Sequence, residues 1–231
     1  MLELKLISEF PREIIATDEV GRGPLGGPVV IGAVRIKIED PEALKGLLKF
    51  LKPRGVKDSK KLSSELRLQI LRKLKIQNLP FRQKGLVLLK GVEVSYVTWD
   101  MCHQTIDQEN ILAASLRGMK EALGFLSDMK KNQTTVLIDG HMKLRWPKKS
   151  PWTEIPIIKG DSKSLLIGLA SIIAKEKRDA YMKDMHELYP QYGFNSHFGY
   201  PTVKHRAAIK LHGPSPIHRK TFKGVKEYVG A

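Results

Sequence analysis

Asp18 and Glu19 stand side by side where an apolar run, Ile14-Ile15-Ala16-Thr17, meets a turn rich in glycine, Gly21-Arg22-Gly23-Pro24-Leu25-Gly26-Gly27-Pro28. Two carboxylates at a strand end, beside a loop that a polyanion can approach closely, suit a metal-dependent enzyme working on phosphodiesters. Asp139 follows a second apolar run, Thr134 to Ile138, and Asp161 follows a third, Trp152 to Ile158. In open α/β sheets ligands gather at the carboxyl ends of strands, so neighbouring strands would bring Asp18, Glu19, Asp139 and Asp161 into one cleft. Like charges about 4 Å apart repel by roughly 4 kcal/mol at an effective dielectric of about 20, and such a cluster needs neutralising. Two divalent ions would do so, and ligation by oxygen alone selects Mg²⁺ or Mn²⁺ over zinc. The chemistry would be two-metal phosphoryl transfer.

Other readings of these carboxylates stay open. Asp161-Ser162 precedes a helical stretch, where an Asp or Ser commonly caps a helix, and Asp139-Gly140 could be an ordinary turn. Adjacent strand residues point to opposite faces, so Asp18 and Glu19 reach one site only with a bulge, a strand end or a bridging water. Gly21-Arg22-Gly23-Pro24-Leu25-Gly26 matches the spacing of a dinucleotide-binding loop, but that motif opens a helix. Here Pro24, Gly27 and Pro28 interrupt it, and Val29-Val30-Ile31 continues as strand. What remains is a hairpin turn, or a backbone that a sugar or phosphate can approach.

The elements that must position these groups follow from periodicity. Glu13 to Val20 and Pro28 to Ile38 read as an antiparallel strand pair, and Leu86 to Leu89 and Val92 to Val97 as further strands. Helical stretches are predicted over Pro41 to Lys52, from Ser63 or Ser64 to Lys75, over Asp107 to Gly124, and over Lys163 to Met185. Strands early, then strands alternating with helices, predict an α/β fold with a central mixed sheet flanked by helices. The 231 residues, 42% hydrophobic, suffice for one core, so a single domain over 1–231 is expected, with about 189–231 as a small C-terminal helical lobe. Thr202 to Leu211 is the periodic part of that tail.

Lys and Arg total 40 against 24 Asp and Glu, a net charge of +16, which points to nucleic acid or merely to solubility. One cysteine, Cys102, excludes an internal disulfide and a cysteine-based zinc site. The N-terminus lacks the pattern of a signal peptide, and no apolar run reaches about 18 residues, so a cytoplasmic protein without a membrane partner is expected. His197, His205, His212 and His218 show no tight metal-ligand spacing and receive no chemistry.

The ordered set Thr17-Asp18-Glu19-Val20-Gly21-Arg22-Gly23-Pro24-Leu25, Lys57-Asp58-Ser59-Lys60-Lys61-Leu62, Ile138-Asp139-Gly140 and Lys159-Gly160-Asp161-Ser162-Lys163 resembles ribonuclease HII. Ala170 to Lys175 with Arg178-Asp179, Gly199-Tyr200-Pro201-Thr202, and Gly213 to Pro216 with His218-Arg219 extend the resemblance to about Phe222. His141 stands where that family commonly has asparagine, and Gln83 to Cys102 follows it poorly. The resemblance implies a ribonuclease H-like fold and cleavage of RNA in RNA-DNA hybrids and 5′ to ribonucleotides embedded in duplex DNA, leaving 3′-hydroxyl and 5′-phosphate ends. It implies Asp18, Glu19, Asp139 and Asp161 as metal-binding carboxylates, Gly21, Arg22 and Gly23 as the loop sensing a ribose 2′-hydroxyl, and Tyr200 as the ring packing on the sugar at the RNA-DNA junction. Ser171, Lys175 and Arg178 share a helix face and could hold phosphates, as could Lys60; a solvated surface is the alternative. A monomer is expected, and the rival reading is a hybrid-binding protein without turnover. Neutralising about five phosphates would give a slope of roughly −4 in log K against log salt.

Overall fold

The computed structural model of the protein describes residues 2–5, 12–39, 41–56, 62–89, 91–127, 134–146 and 152–230. The first half runs α1 (Leu2–Lys5), β1 (Arg12–Val20), β2 (Val29–Ile38), α2 (Pro41–Leu51), α3 (Ser64–Lys73), β3 (Gly85–Leu89) and β4 (Val92–Met101). The second half runs α4 (His103–Glu109), α5 (Ile111–Leu126), β5 (Thr134–Asp139), β6 (Trp152–Ile157), α6 (Gly160–Lys163), α7 (Leu165–Leu188), α8 (Phe194–His197) and α9 (Val203–His212). The strands form a mixed sheet in the order β3-β4-β2-β1-β5-β6. β1 to β4 pair antiparallel, whereas β5 runs parallel to both β1 and β6. The α/β fold with a central mixed sheet is as the sequence predicts.

Period-two alternation divides β1 between two cores. Ile14 and Ala16 pack with α2, α3 and α7, while Ile15 packs with α5 on the opposite face. Both faces are covered, which is why β1 and β2 read as nearly unbroken apolar runs. Helix α7 lies unusually close to the sheet because Gly32 carries no side chain: a Cβ there would sit 2.0 Å from the Ala170 carbonyl oxygen. That approach brings the polar face of α7 to the end of β1.

Two helix boundaries differ from the sequence expectation. The stretch from Asp107 is two helices, because Asn110 adopts φ 72° and its side chain accepts from the N–H groups of Leu112 and Ala113, starting α5 anew. The last long helix is likewise divided: Ser164 is extended and caps α7 by accepting from Ile167 N–H. Buried Glu3, from α1, accepts from Ser164 Oγ and Leu165 N–H at 2.9 and 2.7 Å. A carboxylate there complements the positive end of the helix dipole.

Candidate active site

The ladder between β1 and β5 ends at Thr17 opposite Ile138, so the next residues, Asp18 and Asp139, face each other just past it at the carboxyl end of the two strands, Asp18 still paired with β2 and Asp139 with β6. Asp18 pairs with Gly32 across β2 and therefore shares the face covered by α7. Glu19 has the opposite parity, yet carboxylate oxygens of Asp18, Glu19 and Asp139 lie within 4.8 Å of one another. The end of the β1–β5 ladder resolves this: β1 stays paired with β2 as far as Val20, but no residue of β5 pairs with Glu19, and its longer side chain reaches the other two carboxylates past that edge. Glu19 N–H donates to Asp18 Oδ1 at 2.8 Å, and Gly160 N–H to Asp139 Oδ1 at 2.6 Å.

At that spacing each pair of charges repels by about 3 kcal/mol or more at an effective dielectric of about 20. Burial pushes the Glu19 carboxyl above its ordinary range, Arg22 opposes the shift, and the charge of Asp139 adds to it. Arg22 answers only part of the cluster, through one ion pair to Glu19 at 3.2 Å, and its own side chain is about half exposed. An all-oxygen donor set of three convergent carboxylates fits a hard divalent cation. Asp161 does not line this groove with the other three. It lies in the first turn of α6, one residue beyond the Gly160 N–H that holds Asp139.

The glycine loop borders the same groove of about 260 Å³, which Asp18, Glu19, Asp139, Gly21, Arg22, Gly23, Ser171, Lys175 and Tyr200 line. Two arginines set its shape from beneath, each fully buried. Arg178 donates to the carbonyls of Pro28, Gly26 and Phe198 at 3.2, 3.1 and 2.9 Å. Arg219 donates to those of Gly27, Arg22 and Gly21 at 3.0, 2.9 and 2.6 Å. Burial lowers both guanidinium pKa values, to about 10 for Arg178 and, with Arg178 adding its charge, to about 9 for Arg219; both stay charged at neutral pH. Carbonyls drawn inward by Arg219 turn the N–H groups of Arg22 and Gly23 outward, because a planar trans peptide holds its C=O and N–H antiparallel. Gly21 is required here: its φ is +96°, and a Cβ would fall 2.2 Å from Arg178 Nε.

The phosphate-facing role expected for Arg178 is therefore corrected: the helix face is right, but the loop covers it. Ser171 and Lys175, from the same face, do reach the groove. Lys175 Nζ bonds Asp179 Oδ1 at 2.5 Å, and the other Asp179 oxygen accepts from buried Arg67 of α3 at 3.2 Å. Tyr200 is 41% exposed and its ring comes close to Gly23. Lys60, with the rest of the expected 57–61 segment, lies outside the described residues. Sequence reasoning gave Asp179 and Arg219 no role, though both stood in the motifs; what marks them is burial, and only neighbours distant in sequence create it.

A family model described as Ribonuclease HII matches residues 15–225. A ribonuclease HII of Desulfotalea psychrophila is 39% identical over 216 residues, covering 94% of this chain and 83% of that protein. The chain belongs to the ribonuclease HII family. Membership makes it a nuclease, a hydrolase of phosphodiester bonds acting on the RNA of RNA-DNA hybrids. The crystal structure of ribonuclease H2 from Pyrococcus horikoshii OT3 superposes with a TM-score of 0.64 at 25% identity, over 94% of this chain and 96% of that one. A ribonuclease HIII from Bst, solved in complex with Mn²⁺, shares the fold with a TM-score of 0.58 at 17% identity, covering 95% and 70%. The fold is thus ribonuclease H-like, and Asp18, Glu19 and Asp139 form a group that could hold a metal ion. Among the described residues no helix is long and apolar enough to cross a membrane.

Proposed function

We propose that this ribonuclease HII cuts 5′ to ribonucleotides embedded in duplex DNA, as well as within longer hybrids, leaving 3′-hydroxyl and 5′-phosphate ends. The observation that carries the reading is the shared groove, in which three carboxylates, the glycine loop and Tyr200 face one space. Asp18, Glu19 and Asp139 would hold two Mg²⁺ or Mn²⁺ ions, with Asp161 as the fourth ligand from the turn that bonds Asp139. Bound there, such ions supply an acidified water and stabilise the leaving oxygen.

The chain's own groups do the rest. The outward N–H groups of Arg22 and Gly23 present donors to a ribose 2′-hydroxyl or a phosphate oxygen, and Tyr200 offers a ring face to the sugar at the junction. Deoxyribose would leave such donors unpaired, which is how a polar site rejects an analogue lacking one hydroxyl. Lys175, braced by Asp179, and Ser171 sit where the backbone phosphates would pass; Lys60 is proposed to add a further contact. Residues from about 189 onward form a substrate-contacting lobe of a single domain that acts as a cytoplasmic monomer. The rival, a hybrid binder without turnover, leaves the crowded carboxylates unexplained.

The deciding assay uses a DNA duplex with one ribonucleotide, with and without Mg²⁺ or Mn²⁺. A metal-dependent cut on the 5′ side of the ribonucleotide is expected; binding without any cut would establish the rival.

A further inference from the structure

His205 and His218 are fully buried, and their rings meet through Nε2 atoms 3.0 Å apart. Two nitrogens facing each other bond only if one carries a proton and the other does not. The outer nitrogens decide which. Ser215 N–H, which can only donate, points at His218 Nδ1 from 2.8 Å, and the Ser215 hydroxyl 2.7 Å away can turn its proton to the same nitrogen, so Nδ1 is bare and Nε2 is protonated. The Tyr200 carbonyl, which can only accept, lies 2.9 Å from His205 Nδ1, so that nitrogen is protonated and Nε2 is bare. Reasoned separately from each end, the two assignments agree.

We propose that His205 and His218 are positioning residues for Tyr200. A relay of neutral imidazoles runs from Ser215 N–H to His218, from His218 Nε2–H to His205 Nε2, and from His205 Nδ1–H to the Tyr200 carbonyl. His197 supports it: Gly199 N–H donates to its Nδ1 at 3.2 Å, its Nε2–H reaches the Tyr192 carbonyl at 2.8 Å, and its ring stacks on His205 with centroids 4.4 Å apart. Tyr200 follows Phe198 and Gly199, both at positive φ, a backbone that needs holding in place. Its N–H bonds the His197 backbone carbonyl at 2.9 Å, so the Tyr200 main chain is held on one side by the His197 backbone and on the other by the His205 ring. The surroundings favour neutral rings, since burial lowers the His205 pKa to about 4 and that of His218 to about 3. The inference rests on the proposed contact of Tyr200 with the sugar and supplies what fixes that ring in place.

Two measurements test it. Two-bond ¹H–¹⁵N correlation spectra of the labelled wild-type protein at neutral pH should show Nδ1–H at His205 and Nε2–H at His218 and His197. The opposite tautomer, or an imidazolium at either relay residue, would overturn the relay. This holds whether or not the protein cuts single ribonucleotides, so the two readings fail separately. Kinetics then test the link to Tyr200. His205→Gln removes the Nδ1 donor and should lower kcat/KM about tenfold, the equivalent of one lost buried hydrogen bond. His205→Asn, whose amide can occupy the Nδ1 position, should restore most of that loss. In a Tyr200→Ala background His205→Gln should cost less than about twofold, because coupled residues are not additive. Additive losses, or equal losses in the Asn and Gln variants, would refute positioning.

Discussion

The two sides of the groove bury charge and polarity in opposite ways. At the ends of β1 and β5 three carboxylates crowd within 4.8 Å, with Arg22 paired to Glu19. Beneath the glycine loop two guanidiniums and three imidazoles are buried as deeply, yet six carbonyls take the guanidinium hydrogens and each imidazole both donates and accepts. The first side concentrates like charge, whose repulsion a bound cation would relieve. The second is complete before any ligand arrives, and so can hold donors and a ring at fixed places. The proposed nuclease chemistry uses both: a site whose concentrated negative charge would draw a cation, and a template that does not rearrange when substrate binds.

The strongest break of that comparison is at the acidic side. Asp139→Asn should lower turnover by more than about a hundredfold, because it removes a proposed ligand, and even a partner behind a ligand is worth up to about a hundredfold. The same substitution should leave thermal stability unchanged or raise it, since it removes repulsion; an active enzyme, or an unfolded one, would contradict the assignment. Asp161→Asn sharpens the point. As a proposed ligand it should also lower turnover, and metal titrations of the Asp161→Asn and Asp139→Asn variants would show whether Asp161 belongs with the cluster.

On the satisfied side the expected effect is on stability. Arg219→Lys keeps the charge but cannot fork to three carbonyls, and should cost about 3 kcal/mol by leaving buried acceptors unpaired. Urea denaturation reads this directly, and a loss near zero would mean that the loop does not depend on its clamp.

Acid should separate the two sides by sign. Unfolded imidazoles take up protons near pH 6.5, whereas folded His205 and His218 resist until about 4 and about 3, so the stability they contribute is present above about pH 6.5 and lost as pH falls. Glu19 works the other way: with its folded pKa raised, its contribution is present in acid and lost as pH rises through that value. In metal-free protein a net loss of a few kcal/mol is expected between about pH 6.5 and about pH 4, and replacing His218 by an apolar residue should flatten the profile. The smallest effect is at Lys175: Lys175→Met should weaken hybrid binding severalfold and reduce the slope of log K against log salt by about 1.

Much of this was legible in the chain. The Ile- and Val-rich runs of β1 and β2, the start of α3 at Ser63 or Ser64 and the strands from Thr134 and Trp152 all follow from local rules, and the sheet is the expected mixed one. The breaks at Asn110 and Ser164 escaped detection because a polar residue inside a helical pattern reads as helix until its φ or ψ is known. Arg178 shows the larger limit. Its helical phase correctly placed it beside Ser171 and Lys175, but exposure depends on what lies over a helix, and that is the loop 21–28, some 150 residues earlier in the chain.

The sequence by itself determined the residue types, their order and the strand ends, which suffice to name a family and an acidic metal site, because strand parity and motif spacing are local properties. Only the tertiary structure decided how Glu19 joins Asp18 despite opposite parity, that Asp161 stands apart from the other three carboxylates, and that Arg178, Arg219, His205 and His218 hold the loop and Tyr200. These are matters of burial and convergence, and a buried charge or imidazole takes its role from partners that the fold alone brings within hydrogen-bonding distance.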